Sequence, residues 1–317
     1  RSADKGLLFA DARDDPAVSP FEEAALAGLE RRALNLDLVL VHEDGSRPPS
    51  GTARWLDVRD ERKHFHVRLK EEGDLARLAR FLTGNAVALI LGGGGSRGFA
   101  HIGVIRAMEE LGVHLDLVCG TSMGALIAAG AACEFSGQEL FEKGQVLNAH
   151  RPFSDFTFPL LSIIKGRRIT RLMKQALGDG DIADCWKPYF CVSASLSRAD
   201  TYIHRRGPLY KAVRASMSLP GVMPPAIDEG ELLIDGGIVN NFPVDIVKKE
   251  YGCLTIGVSG SVHKELKVPE TEVPSIGAHL FRKYSRRAAG YRMPNLVDVI
   301  LRTTTLASYR KSLEDAT

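Results

Sequence analysis

Residues 87–103 read "VALILGGGGSRGFAHIG", and the fold class turns on how that run divides. Five apolar residues without alternation, closed by glycine, mark a strand buried on both faces, as in the interior of a parallel sheet. The glycines let the chain turn, and the spacing that follows predicts a helix over 99–111. "LDLVC" at 115–119 is the next expected strand, and a helix follows Ser122. Strand, helix, strand, helix predicts parallel neighbours. Further strands are expected at 189–196, 200–204, 231–234 and 253–258, with helices near 137–148, 167–177, 208–216 and 243–250. Together these define an α/β class: a three-layer α/β/α domain over 87–317 with a mostly parallel central sheet and a basic helical segment at its C-terminal end.

Residues 1–86 read as a small N-terminal α/β extension. Ser19 caps an expected helix over 19–33, with Pro20 at its first position. Strands are expected at 36–42 and 64–69, separated by the Pro/Gly/Ser-rich loop "EDGSRPPSGT" at 43–52, and a helix at 74–82 is stopped by Gly84. No catalytic set is visible in this block.

Composition narrows the function classes. The 317 residues carry 41 Lys and Arg against 39 Asp and Glu, a net charge of +2, so the chain as a whole has no strong attraction for nucleic acid or anionic membrane. The five cysteines form no CxxC pair, and their odd count argues against a disulfide framework. A reducing, cytoplasmic location is the expectation. The start "RSADKGLLFADARDD" lacks a signal-peptide core, and nowhere do about 18 apolar residues run uninterrupted. Because the chain opens on Arg1 rather than Met, it is expected to be a piece of a longer protein.

Three motifs carry chemistry. Gly120-Thr121-Ser122-Met123-Gly124 places a serine on a sharp strand-to-helix elbow, with small neighbours that let the backbone turn. Read blandly, Ser122 is a helix cap. "LGGGGSRGFAHIG", 91–103, can aim several N–H groups at one anion, as an oxyanion hole or a phosphate cradle. Its Gly93-x-Gly95-x-x-Gly98 matches the dinucleotide fingerprint, which also asks for an acid at the end of the next strand. Cys119-Gly120 stands there, and Asp116 sits at the strand's beginning. "LLIDGGIVNNFPVD", 232–245, ends a strand on Asp235, either an ordinary Asp-Gly turn or a general base for a serine that needs a proton acceptor.

The three motifs in this order resemble the patatin-like phospholipase family, and more closely its neuropathy target esterase branch. The resemblance runs from about Val87 to at least Gly260, including the "NNFP" after Asp235-Gly236-Gly237, and "LARLARFLTGNAVALILGGGGSRGFAHIGV" extends it upstream. It implies a patatin-like hydrolase fold and a serine acyl hydrolase acting on phospholipid or lysophospholipid esters through an acyl-enzyme. It implies a Ser122–Asp235 dyad, with N–H groups around Gly93, Gly94 and Gly95 as the oxyanion hole and Arg97 supporting that loop. Gly120 and Gly124 complete the elbow. No cofactor and no metal are expected.

Two alternatives remain beside it. A His-dependent hydrolase would order serine, acid, histidine, and His263 and His279 do follow Asp235. A non-catalytic module would use the glycine loop to bind a nucleotide. The basic stretches "KGRRITRLMK" (165–174) and "FRKYSRRAAGYR" (281–292) read as solvated helix faces or as peripheral contacts with an anionic membrane at the cytoplasmic side. No nucleic-acid motif accompanies them. "PFSDFTFPLLSII", 152–164, is a candidate lid or acyl-chain wall, or else an ordinary buried loop.

Overall fold

The computed structural model describes residues 5–20, 22–24, 35–59, 63–260 and the isolated positions 275, 299–300 and 302. His263, His279 and the 281–292 stretch therefore lie outside the described residues. So does 25–34, although the expected helix there begins as predicted, with Ser19 Oγ accepting from the Glu22 N–H at 3.1 Å.

The extension is built on a three-stranded parallel sheet in the order β1 (Lys5–Asp11), β2 (Asn35–His42), β3 (His64–Arg68). Strand β1 was not expected, because its four apolar residues sit among charges without a legible period. The helix α1 (Thr52–Asp57) was also unforeseen: the Asp184 carboxylate, 132 residues away, accepts its first N–H at 3.0 Å. The α2 helix (Glu72–Thr83) ends on Gly84 at φ 74°, the left-handed stop anticipated for it.

The main sheet contains β4 (Val87–Leu91), β5 (Leu117–Thr121), β6 (Tyr189–Ser195), β7 (Asp200–His204), β8 (Ala226–Asp228), β9 (Glu231–Asp235) and β10 (Leu254–Val258). Its order is β10-β4-β5-β6-β9-β8, with β7 on the other edge of β6. The first four are parallel, whereas β7, β8 and β9 join antiparallel. Parallel character is thus confined to one half of the sheet. Edge strand β8 has only three residues, too short to leave a periodic signature.

Alternation along the strands builds the layers. Leu89, Leu91 and Val118 face a core with α3 (Ala100–Glu110), α4 (Met123–Ala132), α5 (Gly137–Ala149), α6 (Arg167–Leu177) and α7 (Leu209–Ser216). Ala88, Ile90, Leu117 and Cys119 face a second core with α2, α8 (Val244–Glu250) and strands β2 and β3. The extension therefore shares a core with the main sheet. Helix α4, "MGALIAAGAA", is buried at all ten positions, as expected of a helix apolar on every side. An ion-pair network fastens β3 and α2 to the end of α4: Arg68 to Asp74 at 2.6 Å and to Glu134 at 2.8 Å, with Arg77 to Asp74 at 2.8 Å.

Candidate active site

The two halves of the motif set meet because β5 and β9 share one edge of β6. Val118 to Thr121 of β5 pair with Tyr189 to Val192, and antiparallel β9 pairs with Ser193 to Ser195, while β7 occupies the opposite edge. Both strands therefore end at the junction between Val192 and Ser193. One ends at Thr121 with Ser122 next in the chain, and the other at Asp235.

At that junction Ser122 Oγ donates to Asp235 Oδ2 at 2.7 Å, across 113 residues of chain. Ser122 holds φ 55° and ψ −124°, a conformation rare for a residue with a side chain and typical of strain maintained at functional sites. Its surroundings enforce it. A Cβ on Gly120 would lie 2.6 Å from the Leu91 carbonyl oxygen, and one on Gly124 only 2.0 Å from it, so both elbow positions require glycine. The Ser122 N–H donates to Ser216 Oγ at 2.9 Å, and that hydroxyl donates to the Val192 carbonyl at 2.6 Å. Ser216 lies in "RASMSLPG", which carries no sequence sign of this role.

Asp235 is 5% exposed, not the exposed strand end that its Asp-Gly context implies. Its Oδ1 accepts the Gly237 N–H at 2.8 Å. Gly236 is needed because a Cβ there would stand 2.3 Å from the Val192 carbonyl oxygen. Burial raises the Asp235 pKa from 3.8 to about 6, against the lowering effect of the Ser122 and Gly237 hydrogen bonds. The carboxylate is thus mostly ionised at neutral pH yet far more basic than an ordinary aspartate.

The glycine loop lies over the serine, where a Cβ on Gly93 would come within 3.1 Å of Ser122 Cβ. Gly93 departs from the expected role: its N–H donates to Asn241 Oδ1 at 3.0 Å and is not free for an oxyanion. The N–H groups of Gly94, Gly95 and Met123 have no partner among the described residues. Gly95 takes φ 58°, and the exposed Arg97 donates from Nε to the Gly94 carbonyl at 3.2 Å, bracing the loop. His101 donates from Nε2 to the Gly92 carbonyl at 2.9 Å, so it too supports the loop. Asn241 belongs to the quoted "NNFP", and its clamp on Gly93 could be read only once the fold had brought the two together.

Asp116 is fully buried at the other end of β5, pairing with Arg80 at 2.6 Å and accepting the Val87 N–H at 2.9 Å. It holds the sheet and is not available to a nucleotide ribose. A second serine, histidine and aspartate set does exist: Ser193 Oγ lies 2.8 Å from His204 Nε2, and His204 Nδ1 lies 3.6 Å from Asp228. Ser193 has no exposed surface, so that set cannot meet a substrate and serves to satisfy polar groups inside the sheet.

A cavity of about 490 Å³ opens away from Ser122 and Asp235, between β3, β6 and β7. Three of its cations are engaged, Arg205 with Glu250, Lys63 with the Glu250 carbonyl, and Arg206 with Asp57 at 2.9 Å. Among the described residues no cluster of His, Cys, Asp or Glu could hold a metal ion.

Comparison with known proteins adds the following. The family described as "Patatin-like phospholipase" matches residues 89–248, and that described as "Neuropathy Target Esterase family P-loop like domain" matches residues 1–73. Patatin-like phospholipase domain-containing protein 6 of Mus musculus is 36% identical over 281 residues, covering 78% of this chain and 21% of that protein. Lysophospholipase NTE1 of Yarrowia lipolytica is 29% identical over 364 residues, covering 96% and 25%. Neuropathy target esterase sws of Drosophila melanogaster is 31% identical over 353 residues, covering 98% and 24%. The chain thus spans about a fifth to a quarter of the length of these curated relatives.

Proposed function

The chain belongs to the patatin-like phospholipase family, and from that premise we propose that it is a serine acyl hydrolase that cleaves carboxylic ester bonds of phospholipids, lysophospholipids first among them. The observation that carries the proposal is the 2.7 Å hydrogen bond from Ser122 Oγ, on a strained elbow, to Asp235. The names of the relatives, lysophospholipase and patatin-like phospholipase, supply the substrate class.

In the first step Ser122 Oγ bonds to the ester carbonyl carbon while its proton passes to Asp235. The carbonyl oxygen becomes an oxyanion facing the unpartnered N–H groups of Gly94, Gly95 and Met123, and the positive end of α4 favours the charge. Collapse breaks the bond to the glycerophospho-alcohol, which takes the proton back from Asp235. Water then attacks the acyl-serine, giving a proton to Asp235. Release of the fatty acid returns that proton to Ser122 Oγ. Asp235 thus takes up and gives back one proton in each half of the reaction, first from serine to the alcohol and then from water to serine, and no histidine is required.

The reading gives 1–86 the role of an extension that braces the catalytic unit at 87–317. No helix of the described residues is long and apolar enough to cross a membrane, and a peripheral position on the cytoplasmic face of a membrane fits a lipid substrate.

The test is fatty-acid release from lysophosphatidylcholine by the wild-type chain, Ser122→Ala, Asp235→Asn and a His263→Ala/His279→Ala pair. Activity lost in the first two variants and kept in the histidine pair is the expected outcome. Activity lost with the histidines overturns the dyad.

A further inference from the structure

Between α5 and α6 the chain forms a small hairpin whose composition and exposure are at odds. Phe156 bridges to Ile164, the Thr157 N–H donates to the Ile163 carbonyl at 2.9 Å, and the Lys165 N–H donates to the Asp155 carbonyl at 2.8 Å. Its base is anchored, since Ile164 is 2% exposed within the main core and Ser162 Oγ donates to the Ile164 carbonyl at 2.7 Å. Its tip is not: Phe156, Phe158, Leu160 and Leu161 are 68%, 77%, 83% and 79% exposed. Single exposed apolar residues are ordinary, but four large ones in six positions of an ordered turn are not. The segment is therefore neither a buried loop nor a wall closed over the dyad.

The hairpin stands at the dyad's end of the sheet. The Ile163 and Ile164 N–H groups donate to the Gly221 and Val222 carbonyls at 2.9 and 3.0 Å, and Ser218, three residues before Gly221, accepts the Asp235 N–H at 2.9 Å. Five cations stand on either side of the apolar tip in the chain: Arg151, Lys165, Arg167, Arg168 and Arg171, all exposed and, among the described residues, without an ion pair. The one acid in the hairpin, Asp155, is turned inward, where its Oδ2 accepts the Arg168 N–H at 3.0 Å. An apolar tip bordered in the chain by a collar of unpaired cations is complementary to one environment in both respects, the boundary between the acyl chains and the anionic headgroups of a bilayer.

We propose that residues 156–161 insert into the surface of an anionic lipid bilayer and that the collar binds its headgroup phosphates, seating the mouth of the Ser122–Asp235 site on the membrane. The proposal deepens the phospholipid reading by saying how a lipid held in a bilayer reaches the serine. Binding itself requires no catalysis.

The experiment is co-sedimentation of the full chain with vesicles of phosphatidylcholine, with and without phosphatidylserine. It is paired with hydrolysis of a water-soluble monomeric ester and of lysophospholipid carried in the same vesicles. Phe158→Ser/Leu160→Ser/Leu161→Ser should lower partitioning on both vesicles, on the order of tenfold or more. It should slow hydrolysis in vesicles and leave the soluble ester untouched. Arg167→Gln/Arg168→Gln should weaken binding only where phosphatidylserine is present, and added salt should mimic it. Circular dichroism checks that both variants fold. The proposal is overturned if the wild type stays in the supernatant, if the tip variant sediments like wild type, or if the tip instead holds a dimer that size-exclusion chromatography shows the variant to have lost. Ser122→Ala separates the two readings: it should sediment normally, and a chain inactive on every ester whose tip variant still loses vesicles would refute the hydrolase while sustaining the docking.

Discussion

Replacing Asp235 by asparagine should destroy activity and at the same time make the folded chain more stable at neutral pH. The side chain is 5% exposed, and burial lifts its pKa from 3.8 to about 6. A carboxyl whose folded pKa is raised favours folding fully only below its unfolded pKa, because the folded state then holds the proton it prefers. That advantage is lost as pH rises from about 4 to 6, and at pH 7 the buried charge costs about 3 kcal/mol relative to acid. Asparagine removes the charge and keeps the geometry: its oxygen can accept from the Gly237 N–H as Oδ1 does now at 2.8 Å, and its amide can donate to Ser122 Oγ across the present 2.7 Å. The expected gain is therefore about 1–3 kcal/mol at pH 7, shrinking toward zero by pH 4. Urea denaturation of the two proteins at pH 7, 5.5 and 4 measures it. An asparagine variant less stable at every pH, or a difference that does not narrow as pH falls, would refute both the buried charge and its assignment to Asp235.

The same pKa fixes the rate profile. With the base titrating at about 6, kcat/KM on a soluble ester should fall roughly tenfold between pH 7 and pH 5; a plateau down to pH 4.5 would remove Asp235 as the base. Gly124→Ala should unfold the elbow, since its Cβ would meet the Leu91 carbonyl oxygen at 2.0 Å. Gly103→Ala, in α3 with nothing within 4 Å of the new Cβ, should instead raise stability by about 0.5–1 kcal/mol, and thermal melts distinguish the two. Asn241→Ala releases the Gly93 N–H now held at 3.0 Å. It should lower kcat roughly tenfold to a hundredfold with little change in KM. Equal loss in both constants would mean that the clamp orders substrate binding and not the loop.

The legible part of this molecule was local. "VALIL" has one reading once its glycine boundary is seen, and helix α6 was expected over 167–177, the range it occupies. The residues that meet at the candidate site were legible as motifs, the elbow among them because it demands glycine at 120 and 124 for reasons of contact. What stayed hidden depends on pairing over distance. Nothing in "ELLID" says that β9 runs antiparallel along the edge β5 has vacated, or that Asp235 is buried there. The Gly93 N–H reads as a free donor until Asn241, 148 residues later, takes it. The apolar composition of 152–164 pointed to a segment that meets lipid or core, but composition has no direction, and only the anchored base and bare tip separate the two.

The convergence of β5 and β9 on a single edge of β6 also sets the order in which the molecule becomes competent during its own synthesis. Ser122, its elbow and the loop above it are complete by Gly124, while Asp235 is translated 113 residues after the serine. A nascent chain of about 230 residues holds β4, β5 and β6 but not β9, so the Ser122 hydroxyl then lacks the Asp235 oxygen to which it donates in the complete chain. On the proposed reading, activity therefore waits until β9 pairs with Ser193 to Ser195.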